Sequence, residues 1–157
     1  MSQNIIQFSP TQEAGMLVYG RAYNKPTVPV VVDDASVLTL EVANPVKIVA
    51  GGTGLGQALV VDGLAAATDK IYGFIVYSQV KNTYTAKSFI SEIALSDSVM
   101  YMIAGGSIQA GDKLEYNVAT KKVITYAGGA NTILGIAESN ATINQVFTVR
   151  ITTPYTI

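Results

Sequence analysis

The sequence predicts an all-β protein, built as a single-domain β-sandwich or as a β-barrel-like structure with an extended N-terminal arm. Apolar residues alternate with polar ones over many short segments, and clusters of Gly, Asn and Pro separate these segments. The alternation is clearest near the C-terminus, where Phe147, Val149 and Ile151 would share one face of a strand. Many short strands with such turns between them are typical of sandwiches and barrels.

The other strands follow from the same two signals. They are predicted over residues 28–32, 38–42, 46–49, 71–77, 99–104, 113–117 and 122–126. Pro29 places the first of them at the edge of a sheet or at the start of its strand. Residues 62–70 are alanine-rich and are the only segment where a short helix is allowed, whereas residues 89–95 fit both states and are assigned to a strand.

Two stretches of the chain share one construction. In residues 43–48 and again in residues 110–115, a tight turn launches a strand, and a later strand returns with a glycine at its centre, Gly73 or Gly135. The apolar phase of the two turn segments differs by one residue. A glycine in the middle of a strand indicates a bulge or the close approach of another backbone.

Two missing residue types limit the chemistry that is expected of the chain. Without cysteine there are no disulfides and no thiolate nucleophiles, and without histidine the commonest general base and metal ligand is lacking. We therefore expect a non-enzymatic protein with no metal and no cofactor. The Asp33-Asp34 pair is interpreted as the start of a turn, because adjacent strand residues point to opposite faces.

Residues 51–56, Gly-Gly-Thr-Gly-Leu-Gly, invite a comparison with the loops that bind dinucleotides. The third glycine of that motif would fall on Gln57, and neither a long helix nor a suitably placed ribose-binding acid follows. The segment is therefore predicted to be the loop of a hairpin.

The low charge of the chain indicates an assembly protein. Charged residues make up 13% of it, apolar residues make up 49%, and the net charge is −1. A chain of this kind usually hides part of its surface against a partner or against copies of itself. Lys and Arg do not cluster beyond Lys121-Lys122, so we do not expect nucleic acid as a partner, and no apolar run is long enough for a membrane span.

Seven segments occur in an order that is informative, although each segment by itself is common. They are residues 20–24 (Gly-Arg-Ala-Tyr-Asn), 33–40, 44–49, 65–75, 108–116, 133–137 and 149–154. In this order they resemble the head decoration, or structural cement, proteins of tailed bacteriophages, over about residues 15–154. Where that family often has Gly-Asp at the first turn, this chain has Asn44-Pro45.

The resemblance implies a β-sandwich or β-barrel-like (β-tulip-type) subunit that forms homotrimers and binds the major capsid protein. Such a protein is made in the host cytoplasm, joins the virion on the outer capsid surface and stabilises the mature head. We predict an arm over residues 1–15 and a β-domain over residues 16–157. The residues predicted to bind partners are Ile5, Ile6, Phe8, Met16, Tyr19 and Arg21.

Two other classes of function stay open. One is a tail or baseplate β-module or a carbohydrate-binding sandwich, which a row of exposed aromatic residues beside Asn and Asp would favour. The other is an enzyme, such as a glycosidase, that works with carboxylates alone. The pairings available to it among Glu41, Glu92, Glu115 and Glu138 are few.

Overall fold

The computed structural model describes residues 13–18, 29–50 and 59–152, and in these residues all regular secondary structure is β. The predicted all-β class is confirmed, whereas residues 1–12 of the predicted arm lie outside the described residues. The strands are β1 (Val30–Val32), β2 (Leu40–Glu41), β3 (Pro45–Ile48), β4 (Leu59–Gly63), β5 (Gly73–Ile75), β6 (Thr83–Tyr84), β7 (Phe89–Ile90), β8 (Ile93–Ala94), β9 (Val99–Ile103), β10 (Lys113–Asn117), β11 (Lys122–Thr125), β12 (Ile133–Ala137) and β13 (Val146–Ile151).

The first sheet has the strand order β7-β1-β4-β3-β5-β8, with β1 and β4 parallel and its other pairs antiparallel. Its two edge strands, β7 and β8, are separated in the chain only by Ser91 and Glu92, so the sheet curls into a nearly closed barrel. Side chains on the inner face form one buried cluster together with Leu40 and Tyr84 of the small β2–β6 sheet. The members contributed by the barrel are Val30, Val32, Val46, Val61, Ile75, Ile90 and Ile93.

The second sheet has the order β11-β10-β12-β13-β9 and is antiparallel throughout. Its edges also meet, because Ala104, just after β9, forms a parallel bridge with Val123 of β11. The Gly105 N–H donates to the Val123 carbonyl at 2.7 Å. The predicted alternation in the last strand is confirmed, since Phe147, Val149 and Ile151 are all buried.

A shared core joins the two sheets. The cluster inside the second sheet, which includes Met100, Leu114 and Leu134, continues into Phe74 of β5 and Ala94 of β8. Phe74 points away from the first barrel's interior, where its neighbour Ile75 lies. The outer face of one barrel therefore supplies part of the core of the other.

The repeated construction predicted from the sequence is present. Val46 of β3 pairs with Gly73, and Leu114 of β10 pairs with Gly135. An added Cβ at Gly73 would lie 2.7 Å from the Ala94 carbonyl oxygen, and one at Gly135 would collide with the Arg150 carbonyl. The predicted close approach of another backbone is confirmed at both glycines.

The two launching turns have the same hydrogen bonds, but the first copy begins one residue earlier than the Asn44-Pro45 turn predicted from the sequence. Ala43 and Gly111 both have positive φ, at 63° and 95°. The Ala43 N–H donates to the Ile75 carbonyl, and the Ile75 N–H donates back to the Asn44 carbonyl. Gly111 and Asp112 exchange the same two bonds with Ala137. Ala43-Asn44 thus stands where the second copy has Gly111-Asp112, and this accounts for the one-residue offset.

Four further turns among the described residues repeat this pattern. In each, a residue with positive φ and its successor exchange two backbone hydrogen bonds with one residue of a distant strand. The pairs are Gly15 with Tyr101, Lys87 with Val32, Asp97 with Ile151 and Asn144 with Ala104. These turns form hydrogen bonds between segments that are far apart in sequence. Strands as short as these would hold such segments together only weakly by themselves.

Several predicted elements are shorter than expected or absent. Strands cover only Leu40–Glu41 of residues 38–42 and only Gly73–Ile75 of residues 71–77. Two residues beyond β5, the Tyr77 N–H donates to the Gly15 carbonyl of a turn and not to a strand. The helix allowed over residues 62–70 is absent there, since the Asp69 carboxylate accepts the N–H groups of Ala65 and Ala66 and closes a turn. Residues 89–95 form two short strands, β7 and β8, as assigned.

Candidate interaction surface

Several acidic residues of the described chain take part in local structure. Asp33 begins a turn, as predicted, with its carbonyl accepting the Ser36 N–H at 3.1 Å. Asp62 accepts the Ser36 hydroxyl at 2.7 Å, which ties the 33–39 loop to β4. Glu115 is buried and accepts Asn131 Nδ2 on both carboxylate oxygens, at 3.1 and 3.0 Å, and Glu138 pairs with Arg150 at 2.8 Å.

Asp69 forms an ion pair with Lys47. Its Oδ2 accepts Lys47 Nζ at 2.9 Å in addition to the two backbone N–H groups of its turn. Burial alone would raise the pKa of Asp69, but these three hydrogen bonds and the Lys47 charge lower it below the ordinary value. The pair links β3 to the turn that follows β4, so its role is to fix that turn.

The glycine-rich segment 51–56 lies outside the described residues, but the strands on either side of it are described. β3 and β4 are antiparallel neighbours, with Lys47 opposite Asp62 and Ile48 opposite Val61. The element after the segment is therefore a strand that returns beside β3, as the hairpin prediction requires. A dinucleotide loop would lead into a helix at this point.

In residues 13–18, 29–50 and 59–152, no group of three or more acidic side chains is placed to hold a metal ion. Every buried side-chain nitrogen and oxygen atom of these residues has a hydrogen-bond partner. None of the described segments forms a helix long and apolar enough to cross a membrane.

An apolar groove of about 310 Å³ lies between the 37–40 segment and the end of β10. It is lined by Val37, Leu38, Thr39, Leu40, Asn44, Gly63, Leu64, Tyr116, Val118 and Lys121. Val37 is 95% exposed at its rim, while Leu40 and Tyr116 at its base are buried. We call this concavity the Val37 groove.

Polar groups at the rim fix the shape of the Val37 groove. Lys121 Nζ donates to the Thr39 carbonyl at 3.3 Å and so bridges its two walls. The Leu38 N–H donates to the Ser36 hydroxyl at 3.2 Å, which holds the exposed loop in place. Burial, together with the nearby Glu41 charge, raises the pKa of Tyr116 well above its usual range, so its hydroxyl stays protonated and the base of the groove stays uncharged.

Comparison with known proteins identifies chains that share this fold. No protein-family model matches the chain, and no curated protein does. Four solved chains are similar to it. One is the N base of the head fiber gp8.5 of bacteriophage phi29, which superimposes with a TM-score of 0.50 at 12% sequence identity. The match covers 79% of this chain and 91% of that one, so the two share a fold.

Of the residues predicted to bind partners, the structure describes only Met16; Ile5, Ile6, Phe8, Tyr19 and Arg21 lie outside the described residues. Met16 is partly buried, and its carbonyl accepts the Tyr101 N–H at 2.9 Å. Its neighbour Leu17 bridges to Met100, so this part of the chain runs antiparallel beside β9. The backbone of Met16 thus extends the second sheet.

The residues of the Val37 groove were missed by sequence reasoning. They come from three regions, near positions 40, 64 and 118, that only the tertiary fold brings together. One signal was available: Val37 is apolar yet falls out of phase with Leu38 and Leu40. In an alternating segment such a residue points away from the core.

A second concavity, of about 520 Å³, is lined by polar and small residues. They are Ser107, Ile108, Gln109, Ala110, Asn140, Ala141, Thr142 and Gln145. None of these described residues is aromatic, so the row of aromatic residues that the carbohydrate-binding alternative calls for is not found here. Asn140 and Gln145 already use their side-chain oxygens to accept the N–H groups of Ala110 and Thr142.

Proposed function

We propose that the chain is a structural protein of a bacteriophage virion that binds the outer surface of the capsid as a decoration or cement protein. The observation that carries the proposal is the fold shared with the N base of a phage head fiber over 79% of the chain. The ordered resemblance of seven segments to decoration proteins, found from the sequence alone, supports it independently. In this role the protein stabilises the mature head by bridging neighbouring capsomers.

The partners in this proposal are the major capsid protein and two further copies of the chain. A homotrimer fits the low charge, at 13% of residues, because assembly hides apolar surface that a monomer would expose. Exposed apolar side chains such as Val37, Ile48 and Ile143 are candidates for such contacts. The role requires no catalysis, cofactor, nucleic acid or membrane.

The predicted arm supplies the contact with the shell or with a neighbour. Ile5, Ile6 and Phe8 are apolar residues among its first twelve positions, which carry no charged side chain. Extended segments bind by adding a strand to an exposed sheet edge and by placing alternate side chains in pockets. Met16, Tyr19 and Arg21 are the other residues that we propose to bind partners.

The test is to add the purified chain to heads assembled without it. We expect saturable binding in sedimentation, a higher temperature of head disruption, and a solution mass by light scattering of three times 16.5 kDa. A variant with Ile5, Ile6 and Phe8 all changed to Ser should bind weakly, whereas Val80→Ser, at an exposed site in the loop between β5 and β6, should bind as the parent does. Heads that neither bind the parent chain nor gain heat resistance would overturn the proposal.

A further inference from the structure

The Val37 groove is an apolar site with a polar rim, which suits a short uncharged peptide. Leu38, Leu40, Leu64 and Val118 supply apolar walls, and the protonated Tyr116 leaves the base without charge. A volume of about 310 Å³ is at the small end of ligand pockets, enough for a few side chains.

The chain itself contains a segment of matching chemistry. Residues 1–12, Met-Ser-Gln-Asn-Ile-Ile-Gln-Phe-Ser-Pro-Thr-Gln, carry no Asp, Glu, Lys or Arg. Their large apolar side chains include Ile5, Ile6 and Phe8, and amide or hydroxyl side chains flank these three. The apolar groups match the walls of the groove, and the amides match the polar rim at Thr39 and Lys121.

The described chain begins next to the groove. Gly15 packs against Val42 and Ala43, with an added Cβ falling 3.0 Å from Val42 Cβ, and its carbonyl accepts the Tyr77 N–H at 2.9 Å. Ala43 is followed directly by Asn44, which lines the groove. An extended chain spans about 3.4 Å per residue, so Ile5 lies within about 27 Å of Glu13 and can reach the groove.

We infer that in the free protein residues 1–12 dock into the Val37 groove of their own chain, with Phe8 and its apolar neighbours between Leu38 and Val118. A tethered segment meets a nearby site at a high effective concentration, so it occupies the site ahead of segments from other copies. The ordering of about a dozen residues opposes docking, which keeps it reversible. The inference concerns the free protein and stands apart from the proposed binding to capsids.

The chain has no tryptophan, so Phe8→Trp creates a single fluorescent reporter in the arm. We expect its emission at a shorter wavelength than in a free peptide of residues 1–12 carrying the same change. Val37→Lys and Val118→Lys should move the emission to the peptide's value. Val80→Lys is the matched control, because Val80 and Val37 are both 95% exposed but Val80 lies outside the groove. Because Val37 is so exposed, its replacement does not endanger folding.

The absence of cysteine permits a second test of which chain supplies the arm. Ile6→Cys combined with Val118→Cys should form a disulfide within one chain, seen as a monomer on a non-reducing gel. Disulfide-linked dimers, or an emission shift of the Phe8→Trp variant that disappears on dilution, would show that the arm enters another copy and would overturn the inference. Emission equal to that of the free peptide, or unaffected by both groove variants, would also overturn it.

Discussion

Gly135 lies directly against the backbone carbonyl of Arg150. It pairs with Ile151 on one side and with Leu114 on the other, so its backbone is held within the sheet from both directions. A Cβ at this position would collide with the Arg150 carbonyl oxygen and would approach Val149 Cγ1 to 3.2 Å. The sheet can accept a side chain here only by separating β12 from β13.

Gly135→Ala is therefore expected to lower the free energy of unfolding by about 3 kcal/mol, at the upper end for overpacking in a core. Urea denaturation followed by circular dichroism measures it. Gly106→Ala is the control, since a Cβ at Gly106 meets no atom within 4 Å. Equal midpoints for the two variants would mean that β12 and β13 separate easily.

The two launching turns give a reciprocal prediction. Ala43 has φ of 63° and Gly111 has φ of 95°, and left-handed backbone costs an L-residue roughly 1–2 kcal/mol. Gly111→Ala should thus destabilise the protein by about 1 kcal/mol, although a Cβ there meets no neighbour. Ala43→Gly should be neutral or stabilising by up to about 1 kcal/mol, because relief of strain outweighs the added freedom of the unfolded chain. Thermal melting of both variants tests the pair, and a large loss from Ala43→Gly would contradict the shared turn geometry.

The Lys47–Asp69 pair predicts a stability that depends on pH. Its hydrogen bonds and the Lys47 charge lower the pKa of Asp69 in the folded protein, whereas in the unfolded chain it stays near its ordinary value of about 3.9. The stabilisation is then fully present above the unfolded pKa and is lost as the pH falls through the folded pKa. Asp69→Asn should cost about 1 kcal/mol at pH 7, and the gap to the parent should shrink below about pH 4. A gap that stays constant down to about pH 2 would show that the charge contributes nothing.

Glu115 provides a test of a buried carboxylate. It is 5% exposed and accepts Asn131 Nδ2 on both oxygens, with the Ala127 N–H as a further donor at 3.2 Å. Asn131→Ala should destabilise the protein by about 2 kcal/mol, because a charged group is left with fewer donors. In the background of Glu115→Gln the same change should cost less, and a double-mutant cycle in urea measures the difference. Strict additivity would argue against a direct interaction.

The sequence was sufficient for the fold class and for the repeated construction. The alternation at Phe147, Val149 and Ile151 indicates which face of the strand is buried. A glycine in the middle of a strand, at Gly73 or Gly135, indicates that another backbone lies close by. Both signals can be seen within a single short segment of the sequence. Turn chemistry was harder to place. Ala43 has the left-handed backbone conformation that glycine usually adopts. Because alanine gives no sign of such a turn, the sequence predicted the turn at Asn44-Pro45, one residue after its observed start.

The groove could not be predicted in the same way. Leu38, Leu64 and Val118 look like ordinary apolar residues of three separate segments, and only the packing of the first barrel on the second brings them together. Strand lengths were also overestimated, because turns such as the one at Ala43 take over hydrogen bonds that a longer ladder would have made. Val37, out of phase with Leu38 and Leu40, is the single local signal of the groove, and the shortening of the strands has no local signal.

Because the edges of each sheet lie close to one another, few strand edges are open for pairing with a neighbouring molecule. In the first sheet the edge strands β7 and β8 have two residues each, and in the second the bridge from Ala104 to Val123 brings the edges together. Long free edges invite neighbouring molecules to extend the sheet and grow into fibres. The two sheets of copies held side by side in a regular array would therefore meet through side chains, and those contacts can be strengthened or weakened one residue at a time without polymerisation.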